Sequence, residues 1–148
     1  MSQDDASIHL ETSLGYLLKE ASSTLRASME AVLRPLGMTV THYSCLELLA
    51  QRPGLSNSEL ARGAFVTRQS MNVLLQSLER DGYVTRATEA PVGKALPTRL
   101  TPRGERSLEE ASAAVRSVEM TMLRGMSEAE RAGALRALRS MVRSLRGE

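Results

Sequence analysis

Two helix-start signals, at residues 56 and 67, constrain the fold more than any other feature of this sequence. Ser56-Asn57-Ser58-Glu59 is a capping box, in which the serine hydroxyl accepts from the Glu59 backbone N–H and the carboxylate accepts from the Ser56 N–H. Thr67 is a second N-cap candidate, and an apolar stripe follows it at helical spacing. That stripe consists of Met71, Leu74, Leu75 and Leu78. The sequence therefore predicts two short helices joined by a tight turn.

Two short extended runs follow this pair of helices. Asp81-Gly82 ends the second helix, and residues 83–87 and 96–100 are rich in β-forming side chains. Residues 88–95 lie between them and are typical of a hairpin loop. Pro97 has no N–H to donate, so its strand is expected at an edge. Helix, turn, helix and hairpin in this order predict a winged helix-turn-helix.

Long amphipathic segments flank this unit. Residues 8–34 carry leucine and alanine at three- and four-residue intervals, and Pro35 and Gly37 end the pattern. Thr39 is the predicted N-cap of a helix to about residue 50. Thr101-Pro102 and a capping box at Ser127 open two further helices, over about 102–125 and 128–146. Because aromatic residues make up only 3% of the chain, a β-sandwich is disfavoured and a mostly α (α+β) fold is expected.

Length and terminal composition limit the class of protein further. A chain of 148 residues has the usual size of one domain, which excludes a large multidomain enzyme. The single Cys45 cannot form an intramolecular disulfide, so no oxidising compartment is needed. The start of the chain is acidic, and no apolar run approaches the roughly 20 residues that cross a bilayer. We expect a cytoplasmic protein without a membrane partner.

Charge is unevenly distributed along the chain. The net charge is +2, but it is −3 over residues 1–51, +4 over 52–106 and +1 over 107–148. The basic middle segment is consistent with a polyanion partner and equally with a solvated face.

The start of the second short helix concentrates hydrogen-bonding side chains. Arginine, glutamine and asparagine suit base edges, whereas hydroxyls, lysine and helix N-termini suit phosphates. The residues predicted to contact bases are Arg68, Gln69 and Asn72, and those predicted to contact phosphates are Ser56, Ser58, Thr67, Ser70, Lys94 and Arg99. Taken alone, such polar residues at a helix start are more often solvated or capping groups.

The order of these motifs resembles the multiple-antibiotic-resistance-regulator (MarR) family of bacterial transcription factors. The resemblance rests on residues 36–39, 54–61, 71–84 and 100–104 and extends to the long outer helices. It implies a homodimer that binds palindromic operator DNA and often releases it when a small aromatic ligand binds. Many members carry an Asp-x-Arg arrangement in the wing, whereas this chain has Lys94 near the tip, a point charge without the planar guanidinium fork.

The resemblance divides the chain into three parts. Residues 1–36 correspond to an N-terminal dimerisation helix, 37–106 to the DNA-binding lobe and 107–148 to C-terminal dimerisation helices. The outer helices retain apolar residues that the lobe does not need, and a two-fold partner is expected to cover them. These residues are Leu14, Leu17, Leu25, Leu135, Leu138, Val142 and Leu145.

An effector site is expected where the dimerisation helices meet the lobe. Cations, hydrogen-bond donors and an apolar wall suit a carboxylated aromatic ring such as a salicylate-like compound. The candidate residues are Tyr16, Lys19, Arg26, Met38, His42 and Tyr43. Each of them also has a simpler interpretation as a packed or solvated side chain.

Catalytic and metal chemistry find little support in the sequence. His42 and Cys45 lie on one helix face, but two ligands are too few for a metal site. No nucleophile elbow, P-loop or dinucleotide fingerprint is present, so neither an enzyme nor a cofactor is predicted. Cys45 lacks a sequence-adjacent cation and is expected to be an inert, buried thiol. We therefore expect a ligand-responsive transcriptional regulator, most simply a repressor, with a winged-helix protein-interaction module as the alternative.

Overall fold

The structure is a computed structural model that describes residues 6–87 and 97–148. Within these two ranges, six helices and one two-stranded sheet follow each other along the chain. They are α1 (Leu14–Leu33), α2 (Val40–Gln51), α3 (Asn57–Gly63), α4 (Arg68–Arg80), β1 (Val84–Arg86), β2 (Thr98–Leu100), α5 (Pro102–Met122) and α6 (Glu128–Arg146). Short 3₁₀ turns at Leu10–Thr12 and Arg34–Leu36 flank α1.

The predicted N-caps are confirmed. Thr39 and Thr67 accept hydrogen bonds from backbone N–H groups three residues on, at 3.1 and 3.0 Å. Thr101 does the same for α5, and both predicted capping boxes are formed, at Ser56 and Ser127. These bonds satisfy backbone donors that have no partner inside their helix, which is why the helices begin at these residues.

Two predicted helix limits differ from the structure. The predicted helix 8–34 begins only at Leu14, because Ser13 caps it by accepting from the Tyr16 N–H at 3.2 Å. The residues just before Ser13 form a 3₁₀ turn instead. The predicted helix 102–125 ends at Met122, and Gly125 adopts the left-handed conformation at φ 85° in the turn to α6.

The core lies inside the helix-turn-helix lobe. Leu46, Leu60, Leu75 and Leu78 from α2, α3 and α4 are at most 2% exposed, together with Val84 from β1. α5 adds Leu108 and Ala111, and α1 adds Leu33 from its last turn. α5 is therefore a single continuous helix that packs against both the helix-turn-helix lobe and α1.

The hairpin is fixed to the start of α5. Its antiparallel register pairs Val84 with Leu100 and Arg86 with Thr98. The Thr101 hydroxyl donates to the Gly82 carbonyl at 2.6 Å, and its N–H donates to the Tyr83 carbonyl. The predicted loop at 88–95 lies outside the described residues.

The outer helices retain exposed apolar surface, as predicted. Only Leu33 is buried in α1, and no residue of α6 is buried. The exposed residues include Leu14, Leu17, Leu135, Leu138, Val142 and Leu145. Leu25 differs, because it is half-buried in a groove between α1 and α5. Within the two described ranges, no helix is long and apolar enough to cross a membrane.

Candidate nucleic-acid interface

Helix α4 has a buried face and an exposed face. Met71, Leu75 and Leu78 pack into the core, while Arg68, Gln69 and the rest of the first turn are exposed. All four residues from Thr67 to Ser70 are exposed, so the N-terminal end of α4 projects at the surface of the lobe. A projecting helix end with polar side chains is the arrangement that enters a major groove.

The hydroxyls at the start of α4 form a donor-acceptor relay. Thr67 Oγ1 accepts from the Ser70 N–H at 3.0 Å and donates to Ser70 Oγ at 2.9 Å. The Ser70 hydroxyl is exposed and keeps hydrogen-bonding capacity for a group outside the chain. A phosphate only accepts hydrogen bonds, so an exposed hydroxyl suits a DNA backbone.

The other predicted contacts on α3 and α4 lie close by. Asn57 Nδ2 donates to Asn72 Oδ1 at 3.4 Å, which joins the start of α3 to the second turn of α4. The Asn72 amide nitrogen therefore remains available for an external acceptor. The Ser56 hydroxyl accepts from the Glu59 N–H at 3.2 Å, and Ser58 is half-buried beside it.

The predicted wing contacts are described only in part. Arg99 is exposed on β2, opposite Thr85 on the solvent face of the hairpin. Lys94 lies outside the described residues, so its contact with DNA stays a prediction.

Sequence reasoning missed three exposed side chains near this end of the lobe. Val73 and Gln76 lie four residues after Gln69 and Asn72, so they share the exposed face of α4, and Val73 is 60% exposed. The four-residue spacing would have identified both. Phe65 lies in the turn before α4 and is 87% exposed. Its exposure was not evident from a short turn sequence.

The predicted effector residues on α1 and in the loop after it have different surroundings. Tyr16 and Lys19 are exposed on α1. Arg26 is exposed too, and its Nε lies 3.2 Å from the Glu30 carboxylate in an i,i+4 ion pair. Met38 is a core residue, only 5% exposed.

Tyr43 belongs to a polar cluster between α2 and α5. Its hydroxyl donates to Glu47 at 2.7 Å, and Gln51 and Ser112 also donate to this carboxylate. Burial and the bond to Glu47 raise the pKa of Tyr43 to about 12. Burial opposes ionisation of Glu47, but the three donated hydrogen bonds outweigh it and lower the Glu47 pKa.

His42 packs against the start of the hairpin. Its ring meets the Tyr83 ring edge-on, with centroids 5.2 Å apart, and Arg103 covers the same tyrosine at 4.7 Å. Burial lowers the pKa of His42, and Asp81 only partly opposes this. The imidazole is therefore mostly neutral near pH 7. Its Nε2 is buried and has no hydrogen-bond partner among the described residues.

Cys45 is buried, as expected. Burial raises the pKa of this thiol to about 12, although the structure brings Arg86 close enough to oppose the shift. No cation is adjacent to Cys45 in sequence, and the one that opposes the shift, Arg86, belongs to a strand 41 positions away. In the described part of the chain, no group of three histidine, cysteine or acidic side chains is placed to hold a metal ion.

Together, a helix-turn-helix with a projecting polar helix end and a hairpin beside it define the winged helix-turn-helix class of DNA-binding proteins. Residues 36–95 match the profile of the MarR family. The HTH-type transcriptional repressor Rv2887 of Mycobacterium tuberculosis is 44% identical over 110 residues, which cover 74% of this chain and 79% of the repressor. The chain therefore belongs to the MarR family and is a DNA-binding transcriptional regulator.

Solved structures of family members agree with this assignment. The M. tuberculosis MarR family protein Rv2887 in complex with DNA has a TM-score of 0.72 and 38% identity, covering 88% of this chain and 98% of the other. Its complex with salicylic acid gives a TM-score of 0.72 and 39% identity, with 88% and 96% covered. A MarR family regulator from Silicibacter pomeroyi reaches a TM-score of 0.84 at 25% identity, with 94% of both chains covered.

Proposed function

We propose that this chain is a ligand-responsive repressor that binds a palindromic DNA operator as a homodimer. The observation that carries the proposal is the projecting start of α4, where Arg68 and Gln69 are exposed beside the Thr67–Ser70 hydroxyl relay. Arg68 and Gln69, with Asn72, would read base edges, and the hydroxyls would hold the backbone. The M. tuberculosis relative bound to DNA supports the same role.

The homodimer is supported by the exposed apolar surface of the outer helices. α6 buries none of its residues, and its Leu135, Leu138 and Val142 are each at least 44% exposed. A monomer would present this stripe to water, which soluble proteins avoid. A two-fold partner covers it and places two α4 helices about one DNA turn, some 34 Å, apart. The boundaries at residues 36 and 106 between lobe and dimerisation helices belong to this proposal.

The DNA contacts are tested by substituting matched arginines at opposite ends of α4. Arg68→Ala should weaken operator binding by about 1–3 kcal/mol and relax base preference at one position in each half-site. Arg80→Ala is the control, because Arg80 is also exposed but lies at the far end of the same helix. Fluorescence anisotropy with an operator selected from genomic fragments measures both.

Several results would contradict this proposal. Equal affinity of the Arg68→Ala and wild-type proteins would remove α4 from base recognition. A shallow salt dependence of wild-type binding would favour the protein-interaction alternative, since phosphate contacts release counterions. Sedimentation as a monomer at micromolar concentration would exclude the homodimer, and with it a palindromic operator.

We further propose that a carboxylated aromatic compound is the effector. Lys19 and Arg26 would supply positive charge, His42 and the two tyrosines hydrogen bonds, and Met38 an apolar wall. Because these residues lie in different surroundings within one chain, the site would be completed by the arrangement of α1 and α2 in the dimer. The relative bound to salicylic acid supports this class of ligand.

A cytoplasmic location and the absence of enzymatic activity complete the proposal. The location is supported by the DNA partner of a transcriptional regulator. The lack of a catalytic motif in the sequence supports a purely regulatory protein.

A further inference from the structure

Phe65 occupies an unusual place in the helix-turn-helix. Helix α3 ends in a Schellman arrangement, in which the Val66 N–H donates to the Ala61 carbonyl at 3.0 Å and the Phe65 N–H donates to Arg62. This arrangement puts Phe65 in the left-handed region, at φ 59°. Among the described residues it is the only non-glycine with a positive φ. Glycine is the usual residue there, since a side chain crowds the backbone.

Packing among the residues that the structure describes does not explain the phenylalanine. The turn needs a left-handed residue and an apolar residue after it, and Val66 meets the second need by packing against the core. The Phe65 side chain itself is 87% exposed. A bulky side chain in this conformation is strained, and here it gains no burial in return. No contact among the described residues offsets this strain, which favours a role in binding a partner molecule.

The position of Phe65 points to DNA as the partner. It lies two residues before Thr67, the N-cap of α4, and exposed arginines flank the turn on both sides, Arg62 at the end of α3 and Arg68 at the start of α4. Polar and basic neighbours match the edge of a DNA groove, whereas the centre of a protein interface is depleted of charge. We propose that the Phe65 ring packs against the apolar C–H surface of duplex DNA beside the major groove, either deoxyribose or a thymine methyl group. This inference rests on the proposed DNA binding.

Phe65→Gly separates binding from folding. Glycine adopts the left-handed conformation without strain, so the melting temperature should stay the same or rise. Operator affinity should fall about tenfold, because the buried apolar contact is lost. The fall should be equal at every salt concentration, since no phosphate contact is removed and the salt slope stays unchanged. Phe65→Asn, which also tolerates positive φ, should behave alike, and Phe65→Tyr, which keeps the ring, should bind as the wild type does.

A second experiment identifies the DNA surface. Operators in which single thymines are replaced by uracil lack one methyl group each. If the ring contacts a methyl group, one replacement weakens the wild-type protein and has no further effect on Phe65→Gly. If it contacts deoxyribose, no replacement distinguishes the two proteins, although the tenfold difference between them remains.

The inference is overturned if Phe65→Gly binds the operator as tightly as the wild type. Unchanged binding with reduced repression in a reconstituted transcription assay would assign the ring to a protein partner and overturn it as well. Failure of the wild-type protein to bind any DNA would instead contradict the proposed function, so the two failures are distinguishable.

Discussion

Individual side chains in this protein derive their chemistry from neighbours that are distant in sequence. Ser112 reaches the Glu47 carboxylate at 2.9 Å across 65 positions, and its hydrogen bond helps to keep that group ionised. Cys45 lies near Arg86, yet desolvation dominates and its pKa is about 12. Burial therefore decides the ionisation of the thiol, and hydrogen bonds decide that of the carboxylate.

The buried thiol gives a prediction at the residue scale. At pH 8, a thiol with a pKa of about 12 is ionised to only about one part in ten thousand, so folded protein should not react with iodoacetamide. In guanidinium chloride the same protein should be labelled once, because Cys45 is the only cysteine. Mass spectrometry measures both, with Cys45→Ser as the unlabelled reference. Equal labelling rates for folded and unfolded protein would contradict a buried, protonated thiol.

At the scale of elements, the hairpin and α5 approach too closely for a side chain between them. Gly104 lies in the first turn of α5, where an added Cβ would overlap the Tyr83 carbonyl oxygen. Thr101 fixes this approach by bonding to both Gly82 and Tyr83. The glycine is thus required by the contact between elements rather than by its own backbone angles.

Gly104→Ala should therefore destabilise the protein by about 1–3 kcal/mol, because backbone atoms must shift to admit the methyl group. Gly133→Ala in α6 is the matched control. The nearest atom to its added Cβ lies 3.8 Å away on the flexible Arg136 side chain. Alanine is also the better helix former, so this variant should be as stable as the wild type or more so. Urea unfolding measures both free energies, and a loss of stability in the control alone would refute the proposed contact.

For the whole molecule, α5 connects the helix-turn-helix lobe to the outer helix α1. It runs unbroken from Pro102, beside the hairpin, to Met122, beside α1. In the proposed dimer, a ligand bound at the junction of α1 and α2 is expected to change the spacing of the two α4 helices. To move the DNA-bound fraction from nearly full to nearly empty, it must favour the non-binding arrangement by about 5 kcal/mol.

Salicylate titrated into the protein–operator complex should release the DNA, as measured by anisotropy. Acetate at equal ionic strength is the control, because salt alone weakens DNA binding. The double variant Lys19→Ala, His42→Gln should release the operator only at a higher salicylate concentration. The salicylate carboxylate would lose the Lys19 cation, and the salicylate ring would lose the neighbouring His42 side chain. If the wild-type protein and the double variant release the operator at the same salicylate concentration, the effector site lies elsewhere. Absence of release by any aromatic acid would indicate a repressor without this effector.

The helix starts, the order of elements and the exposed stripes of the outer helices were all predictable from the amino-acid sequence. Each depends on interactions within four residues along the chain, such as the bonds from Ser70 to Thr67 and between Ser56 and Glu59. The polar character of the first turn of α4 is equally local, so the sequence alone led to the prediction, still to be tested, that Arg68 and Gln69 contact DNA.

The remaining features depend on tertiary packing, which brings together residues that the sequence separates. The approach of Arg86 to Cys45, the close contact of Gly104 with Tyr83 and the cluster around Glu47 all join different elements. The exposure of Phe65 depends instead on local turn geometry, in which the Val66 N–H donates to the Ala61 carbonyl five residues back. Local sequence patterns determine which helices and strands form. Close packing between these elements determines which neighbours each side chain contacts.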